Sequence, residues 1–221
     1  KERNKAIMKQ TLFTGCATAL ITPFHNGEVD LPALHRILDF QLENGIDALV
    51  ANGTTGEPAT MDEKEWALVL KTVVDHVNGR IPVIAGTGGN NTRAVMQKAR
   101  LAKELGADAQ LCVTPYYNKT TQAGLIAHYQ AIARNSELPV IVYNVPSRTG
   151  CGIQPATYAA LAKHPMISAI KEANGNISSI VETASLVGSK LDIYSGNDDQ
   201  IVPILSMGGA GCISVLSNLL P

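Results

Sequence analysis

The chain repeats one pattern along its length: a short apolar run, a loop marked by glycine or proline, and then an amphipathic helical run. Successive apolar runs are separated by roughly 20–35 residues, which is the spacing of βα units. We count roughly eight strand-like runs and seven helix-like runs, the number needed for a (β/α)₈ barrel that lacks its last helix. The pattern therefore predicts an α/β protein, a parallel barrel in particular.

Local signals set the limits of these units. Asp30 is a predicted N-cap ahead of Pro32, Gly45 a predicted helix stop, and Asp62 with Glu65 has the spacing of a capping box. The predicted strands are residues 16–22, 48–51, 81–85, 109–113, 140–143, 167–172, 191–195 and 212–215. The predicted helices are residues 31–43, 62–77, 92–105, 122–135, 155–163 and 177–187, with a short one ending at residue 207.

A doubly wound open sheet is the alternative arrangement of alternating strands and helices. Such a sheet usually carries one G-x-G-x-x-G phosphate-binding sequence after its first strand. Here the special residues are spread over many loops that follow strands, which favours the barrel. No linker divides the chain, so we expect residues 1–12 to be an N-terminal extension and residues 13–221 one barrel. Because so little follows the last predicted strand, we expect a fragment or a truncated chain.

Composition and charge argue against several classes of function. The net charge of −1 gives no electrostatic reason to expect nucleic acid or an anionic membrane as a partner. No apolar run approaches the roughly 18 residues of a membrane span, and the polar segment 1–10 has no signal-peptide core. Four single cysteines without C-x-x-C spacing favour small core residues in a reduced, cytoplasmic compartment.

Residues 167–172, with the sequence ISAIKE, contain the strongest candidate for chemistry. In a strand, Ile167, Ala169 and Lys171 point to the same face. A lysine at the carboxyl end of an apolar strand is a candidate for an amine kept neutral by desolvation, and such an amine is nucleophilic. The alternative is an exposed lysine paired with a nearby carboxylate.

Residues at the carboxyl ends of barrel strands converge on one pocket, so the other strand ends supply the candidate partners of Lys171. Tyr143 ends the fifth strand, next to the strand of Lys171, and a phenol there could move the proton during imine formation. Thr54 and Thr55 lie in a glycine-flanked loop that could hold a carboxylate or phosphate. Arg148 suits a substrate carboxylate.

Each of these residues also has a purely structural interpretation. Tyr143 could be a core residue, the loop at Thr54 a plain turn, and Arg148 a solvated surface charge. Tyr116 and Tyr117 could belong to the site or to an interface. The five histidines lie in predicted loops or helices, with none at a predicted strand end, so we do not expect metal catalysis.

In combination, these motifs resemble the pyruvate-dependent class I aldolases, a family of (β/α)₈ barrels. The resemblance runs from about Phe13 to the end of the chain. The matching stretches are LITPF (20–24), GTTGE (53–57), IPVIAGTG (81–88), TPYYN (114–118), YNVPSRTG (143–150), IKEANGN (170–176), SGND (195–198) and GCISV (211–215).

The resemblance implies a role for each matched residue. Lys171 would form a Schiff base with pyruvate, while Tyr143, Thr54 and Tyr117 would relay protons, with Tyr117 lent by a neighbouring subunit. Thr54 and Thr55 would hold the pyruvate carboxylate, and Arg148 the carboxylate of a second substrate. Gly196 and Ile213 would line the pyruvate pocket mainly through their backbone.

The activity that the resemblance implies is that of a Schiff-base lyase, with no cofactor besides the lysine itself. It would condense pyruvate with L-aspartate 4-semialdehyde, in the first committed step of the diaminopimelate route to lysine, as a cytoplasmic homotetramer. Two alternatives stay open: N-acetylneuraminate lyase or another 2-keto-acid aldolase of the family, and a catalytically inert barrel fragment. The vicinal Thr54 and Thr55, together with Arg148, favour a small acidic second substrate over a sugar.

The chain departs from the family pattern in two places. Family members continue past this chain's end with an eighth helix and a C-terminal helical region, and a barrel that stops before them should expose apolar strand surface. Asn90 and Tyr116 match an allosteric lysine site. However, Ala94 stands where inhibited bacterial members have the glutamate that holds the ammonium of the effector. We therefore expect lysine to inhibit weakly or not at all.

Overall fold

A computed structural model of the chain describes residues 11–221, and eight parallel strands in them close into a barrel. The eight strands, in chain order, are β1 (Gly15–Ala19), β2 (Ala48–Ala51), β3 (Val83–Gly86), β4 (Ala109–Val113), β5 (Val140–Asn144), β6 (Ile167–Glu172), β7 (Asp192–Ser195) and β8 (Gly211–Ser214). Each strand pairs with the next, and β1 closes the ring by pairing with both β2 and β8. The predicted barrel is confirmed. Residues 1–10 of the expected N-terminal extension lie outside the described residues.

Helices connect the strands on the outside of the barrel. They are α1 (Leu31–Glu43), α2 (Glu63–Val77), α3 (Thr92–Glu104), α4 (Gln122–Asn135), α5 (Pro146–Thr149), α6 (Pro155–Leu161), α7 (Ile177–Val187) and α8 (Ile201–Ser206). After β8, the described chain has a single 3₁₀ turn at Leu216–Asn218. Val215, Leu216, Leu219 and Leu220 are exposed there, whereas all four residues of β8 are buried. The exposed apolar surface therefore lies in the segment after β8, and the expectation of exposed strand surface was wrong for this strand.

The capping residues explain why the longer helices begin where the sequence predicts. The Asp30 carboxylate accepts a hydrogen bond from the backbone N–H of Ala33, and Pro32 occupies the first turn of α1. The Asp62 carboxylate accepts from Glu65 N, while the Glu65 carboxylate accepts from Asp62 N, which completes the predicted capping box. Both boundaries are confirmed.

Some predicted boundaries were wrong where the elements are short. The first strand ends at Ala19, not Thr22, and a two-stranded hairpin, Phe24–His25 with Glu28–Val29, follows it. His25 therefore lies in a short strand, contrary to the expectation that the histidines lie in loops or helices. The loop predicted around Arg148 contains the short helix α5. The other predicted limits agree with the structure to within two residues, and several agree at both ends.

The barrel strands are buried on both faces, as parallel strands covered by helices must be. Ile141, Tyr143 and Ala169 of β5 and β6 pack inside the barrel. Their neighbours Val142 and Ile170 pack outward against the helices. Towards the carboxyl ends of these strands, successive side chains therefore point to opposite faces of the barrel wall. This alternation decides which side chains can reach the cavity at the barrel mouth. The prediction that Ile167 shares a face with Ala169 and Lys171 was wrong, because Ile167 pairs with Val140 before a register shift and packs outward.

The remaining features bear on the chemistry of the surface and the thiols. Within residues 11–221, none of the helices combines the length and apolar character that crossing a bilayer requires. All four cysteines are free thiols, with Cys112, Cys151 and Cys212 buried and Cys16 half-buried.

Candidate active site

Lys171 lies at the carboxyl end of β6 and points into the barrel mouth. Its side chain is only 5% exposed. The register of β5 and β6 places Tyr143 directly beside it, and the Lys171 Nζ atom lies 4.5 Å from the centroid of the Tyr143 ring. The structure therefore brings together the amine and the phenol that the sequence placed on neighbouring strands.

The pKa of the Lys171 amine is lowered to about 8. Burial is the main cause, because desolvation disfavours the ammonium form, and the positive charge of Arg148 acts in the same direction. The negative charge of Asp198 opposes the shift. A pKa near 8 leaves about a tenth of the amine neutral at pH 7, whereas an ordinary lysine is almost fully charged there.

This pKa predicts how adduct formation between Lys171 and a ketone depends on pH. Only the neutral amine is nucleophilic, so the rate should rise about tenfold per pH unit below pH 8 and level off above it. An unshifted lysine would give a rise that continues to about pH 10. Stopped-flow adduct formation between pH 6 and 10 measures the midpoint, and a midpoint near 10 would contradict the assignment.

Tyr143 is also buried, with 7% of its surface exposed. Burial raises the pKa of its phenol, and the nearby Arg148 guanidinium acts in the opposite direction. The phenol is therefore protonated at neutral pH. A neutral hydroxyl can both donate and accept a hydrogen bond, which is what a proton relay requires.

The loop after β2 supplies the two threonines. Gly53 precedes a 3₁₀ turn, Thr54–Gly56, whose residues face the barrel mouth. Thr54 and Thr55 line the same cavity as Lys171, which has a volume of about 680 Å³. Two hydroxyls that line the same cavity as an amine can donate hydrogen bonds to a small carboxylate.

Arg148 reaches the same cavity from α5. The Pro146 ring at the first turn and Gly150 in the left-handed region (φ 63°) after the last turn fix the limits of this helix. Arg148 itself is exposed to solvent. A guanidinium at the rim can bind a carboxylate that enters from solvent.

Residue 196 must be a glycine because its backbone lies close to the Lys171 side chain. A Cβ at this position would lie 3.0 Å from Lys171 Cε and 2.9 Å from Ala173 Cβ. The Gly196 N–H donates a 2.8 Å hydrogen bond to the Glu172 carbonyl, which holds this backbone against β6. Any larger residue would displace the lysine or the strand.

Four other candidates do not line the Lys171 cavity within this chain. Tyr117 is 91% exposed and has a left-handed backbone (φ 67°), so it does not reach the cavity of its own chain. Ile213 is fully buried in the barrel interior, paired with Ala17. Asn90 donates a 3.3 Å hydrogen bond to the Tyr116 carbonyl, so these two residues are in contact.

Sequence reasoning missed functional candidates in the loop after β7 and on the outer face of β5 and β6. Asp198 lines the cavity, and its charge acts on Lys171. The strand-end rule that identified Lys171 would also have identified Asp198. The outward-facing Asn144 and Glu172 gave no comparable signal, because their contacts depend on tertiary structure. As for metals, residues 11–221 contain no cluster of three or more side chains suited to an ion.

The family model for the dihydrodipicolinate synthetase family matches residues 12–221. The chain belongs to this family. It is 56% identical to 4-hydroxy-tetrahydrodipicolinate synthase of Caldicellulosiruptor bescii over 212 residues, which is 96% of this chain and 72% of the relative. Membership of the family agrees with the resemblance seen in the motifs.

Solved structures of the family have the same fold. Dihydrodipicolinate synthase of Thermotoga maritima is 45% identical, with a TM-score of 0.94 over 96% of this chain and 73% of that one. The enzyme of Acinetobacter baumannii, solved as a chloride-inhibited form complexed with pyruvate, is 41% identical with a TM-score of 0.92, over 96% of this chain and 72% of that one.

Proposed function

We propose that this chain condenses pyruvate with L-aspartate 4-semialdehyde through a lysine Schiff base, giving 4-hydroxy-tetrahydrodipicolinate on the pathway to lysine. The observation that carries the proposal is the buried Lys171 amine beside the Tyr143 ring at the mouth of a parallel barrel. The names of its relatives and the pyruvate complex of one of them support the choice of substrates.

The first half of the mechanism is imine formation. Pyruvate enters with its carboxylate at Thr54 and Thr55, which brings its ketone to Lys171. The neutral amine attacks the carbonyl carbon, and the Tyr143 phenol transfers a proton from nitrogen to oxygen to give a carbinolamine. A second proton, taken up from solvent, lets the hydroxyl leave as water and gives the iminium. The resulting iminium is an electron sink, so no further cofactor is proposed.

The second half forms the carbon–carbon bond. Loss of a methyl proton from the iminium gives an enamine, whose carbon attacks the aldehyde of the second substrate. The aldehyde oxygen takes up a proton and becomes a hydroxyl. The substrate amine then attacks the iminium carbon, the ring closes, and Lys171 leaves as the free amine.

Arg148 is proposed to bind the carboxylate of the semialdehyde. Replacing it with methionine should raise the KM for the semialdehyde about 10- to 100-fold, because a charge-assisted hydrogen bond contributes about 1.5–3 kcal/mol. Pyruvate adduct formation should change far less. Steady-state kinetics with each substrate varied in turn would show this, with exposed Arg36→Met on α1 as the control. If Arg148→Met abolished pyruvate adduct formation as well as semialdehyde binding, the assignment of Arg148 to the semialdehyde carboxylate would be contradicted.

Tyr117 and the oligomer form one linked proposal. The side chain is 91% exposed in this chain, as a residue that acts in a neighbouring subunit would be. We propose that two copies pair closely enough for each to place Tyr117 in the relay of the other, with pairs assembling into a tetramer. The proposal rests on the family resemblance and on this exposure.

Effector binding at Asn90 and Tyr116 is proposed to be weak. The two residues lie together, but residue 94 on the adjoining helix α3 is an exposed alanine with no carboxylate for an ammonium group. Adding lysine to the assay should therefore leave the rate nearly unchanged. Ala94→Glu is expected to increase inhibition, and tight, saturable inhibition of the unmodified chain would refute the hypothesis.

The experiment that tests the function is chemical trapping. The protein is incubated with pyruvate, reduced with borohydride and weighed by mass spectrometry. A pyruvate adduct is expected, and its absence on a folded sample would favour the inert barrel. Comparing aspartate semialdehyde with N-acetylmannosamine as the second substrate then separates the proposed synthase from an N-acetylneuraminate lyase.

A further inference from the structure

A buried polar cluster lies on the outer side of β5 and β6, directly behind the amine and the phenol. We propose that Glu172, with Asn144 and Tyr158, is a positioning network that fixes the geometry of Tyr143, Lys171 and the helix that carries Arg148. The proposal rests on the function proposed above and assigns these residues no contact with substrate.

The Glu172 carboxylate is fully engaged. The Asn144 Nδ2 group donates to both carboxylate oxygens, at 3.0 and 3.3 Å, and the Tyr158 hydroxyl donates at 2.8 Å. The backbone N–H of Asn174 donates at 3.0 Å. Glu172, Asn144 and Tyr158 are each only 1% exposed. Water therefore has little access to the cluster.

The chemistry of the partners fits an ionised carboxylate. An ionised carboxylate can only accept hydrogen bonds, and every contact found for these oxygens within residues 11–221 comes from a neutral donor. The amide of Asn144 is oriented by its other end, since its Oδ1 atom accepts from the backbone N–H of Ile153 at 3.2 Å.

Such a group is costly to bury, so its position needs an explanation. Burial raises the pKa of Glu172 to about 7, against the effect of the hydrogen bonds from Tyr158 and Asn144. An apolar side chain would often be neutral or better for stability at such a site. The location of the cluster indicates what the carboxylate contributes instead.

The cluster lies one residue beyond the reactive pair on each strand. Tyr143 and Lys171 are registered across β5 and β6, and so are Asn144 and Glu172. Because side chains alternate, the first pair faces the cavity and the second faces outward. A hydrogen bond between Asn144 and Glu172 therefore fixes how the ends of β5 and β6 are aligned. It thereby fixes the distance between the Lys171 amine and the Tyr143 phenol.

The same cluster reaches the segment that carries Arg148. The bond from Ile153 N to Asn144 Oδ1 closes the chain between residues 145 and 152, which includes α5. The Glu172 carbonyl also accepts from Gly196 N, the glycine packed against the lysine. Asn144 and Glu172 together thus connect β5, β6, the Arg148 segment and, through the Glu172 backbone, the loop after β7.

The test compares two replacements of Glu172. Glu172→Leu leaves the donors of Asn144, Tyr158 and Asn174 without an acceptor. Glu172→Gln keeps one acceptor oxygen. Its amide N–H can donate a hydrogen bond to the Tyr158 hydroxyl if the O–H bond of Tyr158 rotates so that its oxygen accepts. Because a displacement of about 1 Å can cost up to about 100-fold in rate, we expect Glu172→Leu to slow pyruvate adduct formation about 10- to 100-fold and to raise the KM for the semialdehyde. Glu172→Gln should recover most of the rate.

A matched control separates positioning from general loss of stability. Gln110 is an equally buried, outward-facing residue near the start of β4, where it hydrogen-bonds to Ser136 and Thr87. Gln110→Leu should lower the unfolding midpoint as Glu172→Leu does but leave the adduct rate per folded molecule unchanged. Tyr158→Phe removes one donor and should slow the adduct by a smaller factor.

The outcomes are distinguishable. A wild-type chain that forms no pyruvate adduct overturns the proposed function itself. A wild-type chain that forms the adduct, with Glu172→Leu matching Gln110→Leu in rate per folded molecule, overturns the positioning network. If Glu172→Leu does not fold, Tyr158→Phe decides: a slowed adduct supports the network, and an unchanged adduct rate contradicts it.

Discussion

Replacing Lys171 with alanine is expected to abolish the borohydride-trapped pyruvate adduct and to lower kcat by at least about 10⁴-fold, since removing a covalent nucleophile has effects of this size. The physical reason is that Lys171 is the buried amine at the barrel mouth, with a pKa near 8. Other lysines are still present in the variant. They should not substitute for Lys171, because within residues 11–221 no other lysine lines the cavity that holds Thr54 and Thr55.

Two comparisons make this result specific. Lys171→Met keeps an unbranched side chain of similar length but has no amine, so it should behave like Lys171→Ala while preserving packing. Lys163→Ala removes an exposed lysine after α6 and should leave both the adduct and the rate unchanged. The variants are weighed intact and after proteolysis. A pyruvate adduct that persists in Lys171→Ala would show that another amine carries the chemistry.

The sequence contains enough information to predict the barrel because its main signals are local. Helix caps such as Asp62 with Glu65 act within four residues, and the strand–helix alternation repeats through the chain. Parallel strands then bring their carboxyl ends together, whatever the details of the loops. That rule alone places Tyr143 beside Lys171, and the register confirms the contact.

The features that sequence reasoning missed depend on short segments or on distant contacts. The strands of the Phe24–Val29 hairpin have two residues each, too few for a period-two pattern to be recognised. The helix at Arg148 has four residues, although Pro146 and Gly150 are its start and stop signals. The Glu172 cluster joins residues 14 and 28 positions apart, and nothing in either segment alone indicates the pairing.

The pKa of Lys171 is likewise a tertiary property. Burial is the largest cause of the lowered pKa, and the strand pattern made burial plausible. The charge of Asp198, which raises the pKa, and that of Arg148, which lowers it, come from the segments after β7 and β5. Sequence reasoning could therefore propose a neutral lysine and the direction in which its pKa is shifted. It could not indicate how far the field of Asp198 opposes the effect of burial, because that balance depends on where each loop lies.

Replacing Tyr143 with phenylalanine is expected to keep the pyruvate site but to slow catalysis about 10²- to 10³-fold, a typical contribution of general acid–base catalysis. The ring that packs 4.5 Å from the Lys171 amine is retained, so the burial that lowers the lysine pKa is largely retained as well. Only the hydroxyl that transfers protons is lost. The pyruvate adduct should therefore still form, but slowly.

Two rates separate this role from a structural one. The first is formation of the trapped adduct, and the second is exchange of the pyruvate methyl hydrogens in D₂O followed by NMR. Both should fall in Tyr143→Phe. In the control, Tyr129→Phe, both should stay near the wild-type rate, because the buried Tyr129 hydroxyl bonds to the Cys112 carbonyl and does not face the cavity. If Tyr143→Phe keeps the full rate of both steps, the phenol only packs against the lysine, and the proton must reach the amine by water or through the threonines.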